Sequence, residues 1–247
     1  MGNEREDSVF PTLIHITHYK AGSTWILNIL RNAFPGKVVQ RQIGASHFLN
    51  QPVIKGRFYS PLYVTKQQFE SVQLPDNCRK FIVIRDLRDT LISLYFSLKY
   101  SHDMLNEEMK KSRATLNSMS VDEGLIYMIK HNWLYPNTEI QKSWVESGEP
   151  IILYEDLLKN DILILEKILI NECKLPIAKK DLYDVIKSQR FSKQTGRKPG
   201  IEDINSHNRK GIKGDWRNYF TEEIKEIFKE HYNDILVLTG YEKDGKW

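Results

Sequence analysis

The apolar residues of this chain fall into two kinds of run. Three are short and uninterrupted: Leu13-Ile14-His15-Ile16, Phe81-Ile82-Val83-Ile84 and Ile151-Ile152-Leu153-Tyr154. Runs of this length predict strands buried on both faces of a parallel sheet. The others recur at three-to-four spacing and predict helices. They include Ile26, Ile29, Leu30 and Ala33; Leu91, Ile92, Leu94, Tyr95 and Leu98; and Ile224, Ile227, Phe228, Ile235, Leu236 and Leu238. A long helix is predicted over Val121 to Glu146, interrupted near Tyr135-Pro136, with its indoles Trp133 and Trp144 in the core. Helices are also predicted from Leu157 to Cys173 and from Ala178 to Ser188. Weaker strand signals lie at Lys37-Val38-Val39-Gln40 and Pro52-Val53-Ile54-Lys55. Strand and helix alternate without hairpin signals. The expectation is an α/β fold: one domain over residues 1–247, with a central, mainly parallel, doubly wound sheet flanked by helices.

Three stretches fall outside that alternation. Residues 1–10 are polar and acidic and read as flexible. Residues 101–120 are charged, without an apolar stripe, and read as a surface lid. From Lys187 to Arg217 there are nine basic residues and three acidic ones, a surplus of six against +4 for the whole chain. Glycines punctuate this window, and Trp216 and an amphipathic helix follow it, so 192–214 reads as a basic flap laid over a polyanion rather than a tail. Composition adds bounds. A hydrophobic fraction of 40% supports a core and excludes disorder. Two cysteines, Cys78 and Cys173, make neither a disulfide framework nor a metal cluster, so a reducing compartment is expected. With no apolar signal core in Met1 to Ser8 and no membrane-length run, the expected location is the cytoplasm.

The chemistry gathers at the ends of the predicted strands. Tyr19-Lys20-Ala21-Gly22-Ser23-Thr24-Trp25 joins the first strand to the first helix. A strand, a loop holding Lys, Gly, Ser and Thr, then a helix makes an anion cradle, because unpaired N–H groups and the helix dipole both face the anion. The loop is P-loop-like, but its lysine precedes its glycine; the alternative is a lysine-bearing turn. The second buried strand ends in Arg85, with Ser93 two turns into the next helix. Ligands collect at such strand ends. Taken alone, these residues equally fit an Arg85 paired with Asp86 or Asp89 and an ordinary helical serine.

Four separated stretches resemble one family, the cytosolic-type sulfotransferases. Tyr19 to Trp25 is similar to their 5′-phosphosulfate loop. Arg85 with Ser93 resembles their 3′-phosphate pair, and Tyr154-Glu155-Asp156-Leu157 the strand end beside their adenine pocket. Arg209-Lys210-Gly211-Ile212-Lys213-Gly214-Asp215-Trp216-Arg217-Asn218-Tyr219-Phe220-Thr221 is similar, nearly residue for residue, to their RKG-x-x-GDW signature. Phe191 stands where the family places an aromatic against adenine. The resemblance implies the donor 3′-phosphoadenosine 5′-phosphosulfate (PAPS), its product 3′-phosphoadenosine 5′-phosphate (PAP), and no metal. It assigns Lys20, Ala21, Gly22, Ser23, Thr24, Trp25, Arg85, Ser93, Tyr154, Phe191, Arg209, Lys210 and Gly211 to the donor. The residue chemistry fits independently: charge is needed at two separated ends and flat partners for a base.

The implied reaction is in-line displacement onto a hydroxyl or amine of a small organic acceptor, with Lys20 stabilising charge on the bridging oxygen. Lys55 stands where the family often has a second lysine, two residues before its histidine. Arg57 occupies that histidine's place, and an always-charged guanidinium is a poor base. His47, in the aromatic acceptor region, is the first candidate base, then His18, then His102. The family's dimer motif has valine where Glu222 follows Thr221, so monomer and homodimer both stay open. Neither nucleic acid nor membrane is expected as a partner. The rival readings are a metabolite kinase with an atypical phosphate loop and a non-catalytic nucleotide-binding module.

Overall fold

The computed structural model describes residues 10–103 and 106–247. Four strands form one parallel sheet: β1 (Thr12–Thr17), β2 (Phe58–Leu62), β3 (Cys78–Ile84) and β4 (Ile151–Leu153), in the order β2-β1-β3-β4. Every residue of β1 is buried. Because side chains alternate along a strand, Leu13 faces one layer, with Phe58, Phe81 and Val83, while Ile14 and Ile16 face the other, with Tyr59, Ile82 and Ile84. Helix α1 (Ser23–Ala33) covers the first layer through Ile26, Ile29 and Leu30. Trp144 closes the second, donating its indole N–H to the Val64 carbonyl at 2.9 Å.

The second strand lies later than the pattern suggests. Pro52 to Lys55 is not a strand; Ile54 and Lys55 are exposed and Gly56 turns the chain with φ 74°. The strand is Phe58–Leu62, and Pro61 inside it hid the pattern. A missing N–H is tolerated there because β2 is an edge strand. Val38 contributes only a single parallel bridge to Phe58. β4, expected to be buried on both faces, is the other edge and is half-buried.

Beyond β3 run α2 (Leu87–Phe96), a π-helical turn (Ser97–Ser101) and α3 (Glu107–Asn117). The expected lid therefore contains a helix. Arg113 ties it down, donating to the carbonyls of Leu98 (2.8 Å) and His102 (2.6 Å). Its stripe was invisible because Leu116 is its one buried residue. The long helix predicted over Val121 to Glu146 is two, α4 (Val121–Lys130) and α5 (Tyr135–Val145). The break comes before the proline, at left-handed Asn132, and Pro136 sits in the first turn of α5, where no N–H is missed. After β4 come α6 (Tyr154–Leu165), continued by a π-helical segment (Glu166–Glu172), α7 (Lys179–Ser188), the short α8 (Phe191–Thr195) and α9 (Glu222–Leu238). α2, α4 and α9 enclose a third apolar cluster that includes Trp216. The root of the basic segment is thus a core element. Of the stretch expected to be flexible, Phe10 packs edge-on to Phe34 and Phe58 (6.0 and 6.3 Å); residues 1–9 lie outside the described residues.

Candidate active site

β1 delivers the chain into an uncapped helix. Lys20 and Gly22 both take left-handed backbone (φ 67° and 78°), so the loop curls over its own N–H groups. Gly22 is the N-cap of α1; no side chain caps the helix and no acidic residue stands in its first turn. The positive end of the helix is left open to an anion. A β-carbon on Gly22 would lie 2.6 Å from the Tyr154 ring, so glycine is needed for space as well as for φ. Gly22→Ala should therefore cost about 1–3 kcal/mol, seen as a Tm lowered by roughly 2–10 °C, and should weaken anion binding. An unchanged Tm would mean the loop relaxes freely.

The opposite wall comes from β3 and the basic segment. Arg85, at the end of β3, donates to the Lys20 carbonyl (3.0 Å) and the Ile212 carbonyl (3.4 Å), and its guanidinium lies 4.8 Å over the Tyr154 ring. Its Nε is buried without a partner, as is the Trp25 indole N–H. Asp89, one turn into α2, accepts the N–H groups of Gly214 (2.6 Å) and Trp216 (3.0 Å), pinning the root of the flap. Arg209 pairs with Glu202 and Asp215, and Lys210 with Asp215 (2.6 Å). Burial alone would raise the Asp215 carboxyl, but Lys210, Arg209 and Asn218 outweigh it and hold it below the usual carboxylate range. Phe191 lies on the Gly211 backbone, where a β-carbon would come within 2.5 Å of the ring. Arg197 stitches the flap by donating to the carbonyls of Ile201, Asn208 and Arg209.

These parts line one cavity of about 1610 Å³. It brings together Lys20, Gly22, Ser23, Thr24, Trp25, Arg85, Ser93, Tyr154, Phe191, Arg209, Lys210, Gly211 and His47. Ala21 is fully buried beneath the loop. Tyr154 is not at a strand end; it opens α6, with its ring edge toward Trp25 at 6.4 Å. Burial, then Arg85 and Arg209, lowers the Lys20 ammonium to about 8. Three cations crowd where an anion would relieve them.

Two expected catalytic residues stand elsewhere. Lys55 is exposed in the turn before β2: Gly56 N–H donates to the Thr12 hydroxyl and Leu13 N–H to the Arg57 carbonyl, both at the far end of β1 from the loop. The parallel register decides this, since Phe58 sits beside Leu13, and the end of β2 near the loop is Pro61-Leu62-Tyr63. His18 is a strut. Its Nδ1–H donates to the Tyr19 carbonyl (2.9 Å), while Nε2 accepts from Arg85 N–H (3.0 Å) and the Gln141 amide (2.8 Å). Burial lowers its pKa to about 4, so it stays neutral.

Tyr63, one of the aromatics of the expected acceptor region, donates its hydroxyl to Ser23 (2.9 Å) and lies tilted against Tyr19 (4.2 Å). Two further cavity residues were missed from sequence. Trp133, expected in the core, lines the cavity. His207 brings Nε2 to 3.4 Å from the Thr24 hydroxyl. Its only signal was its place in the basic flap.

A parallel α/β sheet whose first strand opens into an anion-binding helix end, with a basic flap across it, defines a class of nucleotide-handling proteins. The comparisons with known proteins narrow it. Residues 11–242 match the model of the sulfotransferase domain, and the chain belongs to that family. It is 24% identical over 253 aligned positions to sulfotransferase 1E1 of Rattus norvegicus, covering 89% of this chain and 81% of that one. Among solved structures it resembles mouse sulfotransferase SULT7A1 complexed with PAP (TM-score 0.61, 18% identity, 95% of this chain and 90% of that one). It also resembles retinol dehydratase in complex with androsterone and PAP (TM-score 0.58, 16% identity, 91% and 80%). Among the described residues no helix is long and apolar enough to cross a membrane.

Proposed function

We propose that this chain moves a sulfuryl group from PAPS to a hydroxyl or amine of a small organic acceptor by in-line displacement. The observation that carries it is a single cavity with positive groups gathered at two ends. One is the uncapped α1 N-terminus with Lys20, Ser23 and Thr24. The other is the cation group Arg85, Arg209 and Lys210, with Ser93 and the Gly211 backbone. The Tyr154 and Phe191 rings lie directly on the glycines of the two ends, leaving backbone and ring faces for a phosphoadenosine. The orphaned Arg85 Nε and Trp25 N–H are donors such a ligand would use. Solved neighbours carry PAP, a ligand of that two-ended shape.

In this reading Ser23, Thr24 and the first N–H groups of α1 hold the phosphosulfate, and the Lys20 ammonium faces the bridging oxygen as charge builds there. Arg85 and the flap cations hold the 3′-phosphate. The remaining wall, with Arg41, Pro61, Tyr63, Trp133 and Tyr135, receives the acceptor. The test is thermal unfolding with PAP against ATP and Mg²⁺. PAP at a hundredfold over its Kd should stabilise by about 2.7 kcal/mol, and the shift should shrink in Lys20→Ala and Arg209→Ala. A shift with ATP and Mg²⁺ but none with PAP would favour the kinase reading instead.

A further inference from the structure

Displacement by a hydroxyl releases a proton, and the end of β2 supplies no base: Pro61 and Tyr63 line the cavity there, and burial raises the Tyr63 phenol above its usual range. His18 has both nitrogens engaged in the scaffold. His47 is the wrong way round. Its Nδ1 accepts the Gln42 N–H at 3.2 Å, so the neutral ring keeps its proton on Nε2 and has no lone pair left to take another. Three imidazoles remain on the cavity wall. His131, exposed at the end of α4, holds its Nδ1–H on the Tyr127 carbonyl (2.8 Å); the other two, His102 and His207, lie together.

His102 follows the π-helical turn. Its backbone is fixed on both sides: its N–H donates to the Ser97 carbonyl (2.7 Å) and its own carbonyl accepts from Arg113 (2.6 Å). No hydrogen bond engages its ring among the described residues, and the ring lines the cavity that holds Lys20. A pinned backbone carrying an unengaged imidazole is how a proton acceptor is presented. His207 reaches the same place from the flap, with Nε2 against the Thr24 hydroxyl at the mouth of α1. The groups facing His102 are Lys20 of the loop, Arg41, Arg113 of α3 and the neighbouring carboxylate Asp103; His207 is faced by Lys20, His102 and Asp103.

We propose that His102 is the general base of the transfer and that His207, delivered by the flap, donates a hydrogen bond to the departing phosphate. This rests on the sulfuryl-transfer reading. The acceptor oxygen forms its bond to sulfur as the bond from sulfur to the bridging oxygen breaks. The electron pair stays on that oxygen, opposite Lys20 and His207, and the acceptor proton passes to the free nitrogen of His102. The proton-transfer centre is thus split between the end of the β3–α2 unit and the flap, so it is complete only with the flap in place. Burial, and then Lys20, keeps His102 below the usual histidine pKa, leaving it unprotonated and ready to accept at neutral pH.

The experiment follows release of PAP from PAPS across pH 5 to 9, with 2-naphthol as acceptor and with water alone, alongside PAP thermal shifts. His102→Gln should lower the rate about 10²–10⁴-fold, erase the acid limb and leave the PAP shift unchanged. His102→Ala should regain rate with added imidazole. His207→Gln should keep the acid limb while lowering the rate about tenfold, on the scale of one lost hydrogen bond. His47→Gln should also keep the acid limb. A PAP shift together with a His102→Gln enzyme that keeps its acid limb and a rate within threefold overturns this assignment alone. No PAP shift in the wild type overturns the sulfuryl-transfer reading and this assignment with it.

Discussion

Replacing Lys20 with alanine is expected to lower kcat for PAPS turnover by about 10²–10³-fold, the scale of losing one preorganised donor at a developing oxyanion. The expectation comes from where the ammonium is held. Lys20 sits in left-handed backbone at the turn from β1 into α1, in the cavity, with Arg85 and Arg209 as its charged neighbours and no carboxylate paired to it among the described residues. A desolvated cation flanked by cations is poorly stabilised until an anion arrives, so its interaction is strongest where negative charge grows. The same crowding sets a pH dependence. With the lysine pKa lowered to about 8, the free enzyme carries the required charge below pH 8 and loses it above. PAP binding and kcat/KM should both fall as pH rises through 8, and the fall should vanish in Lys20→Ala. A variant within fivefold of wild type, or one that keeps the alkaline fall, would remove Lys20 from the chemistry.

The second large effect is on stability in mild acid. His15 in β1 and His18 just beyond its end are both fully buried. His15 stacks on Phe81 at 4.8 Å and bonds Ser60 at 2.8 Å, with Nε2 unpartnered; burial lowers its pKa to about 3. Burial lowers that of His18 to about 4. The folded state therefore holds both neutral, whereas the unfolded chain binds their protons below about 6.5. Stability is whole above pH 6.5 and is lost as pH falls toward 4 and 3. Each histidine contributes about 1.4 kcal/mol per pH unit in that window, so roughly 4 kcal/mol goes between pH 6.5 and pH 5. Denaturant unfolding at pH 7, 6 and 5 reads it directly, and His15→Gln should reduce the slope by close to one proton. A wild-type slope under one proton would show that these rings reach water in the folded state.

Much of this was legible in the sequence. β1, β3 and β4 announce themselves because a strand in a parallel sheet is apolar throughout, and the turn from β1 into α1 because Lys, Gly, Ser and Thr follow such a strand closely. β2 begins six residues later than expected, since an edge strand tolerates Pro61 and so loses the pattern. That slip carried Lys55 to the wrong end of the sheet. Asp89 was visible as a charge, but its acceptor role toward the Gly214 and Trp216 N–H groups depends on a pairing across 127 residues at its longest. His18 and His47 could be nominated from position alone. Which of their lone pairs is already taken is a matter of neighbours, Gln141 and the Gln42 backbone, that no local pattern records.

The Arg85 guanidinium touches the carbonyl of the donor loop, the carbonyl of the flap and the Tyr154 ring, with Asp89 3.8 Å away. Neither end of the cavity can therefore settle on its own. In the proposed reading, an anion that orders the loop end fixes the residue that shapes the flap end, and the reverse holds with the same free energy. The affinities of the two halves of the donor, tested as separate fragments, then do not sum to that of the whole. The difference is a coupling carried by a single side chain.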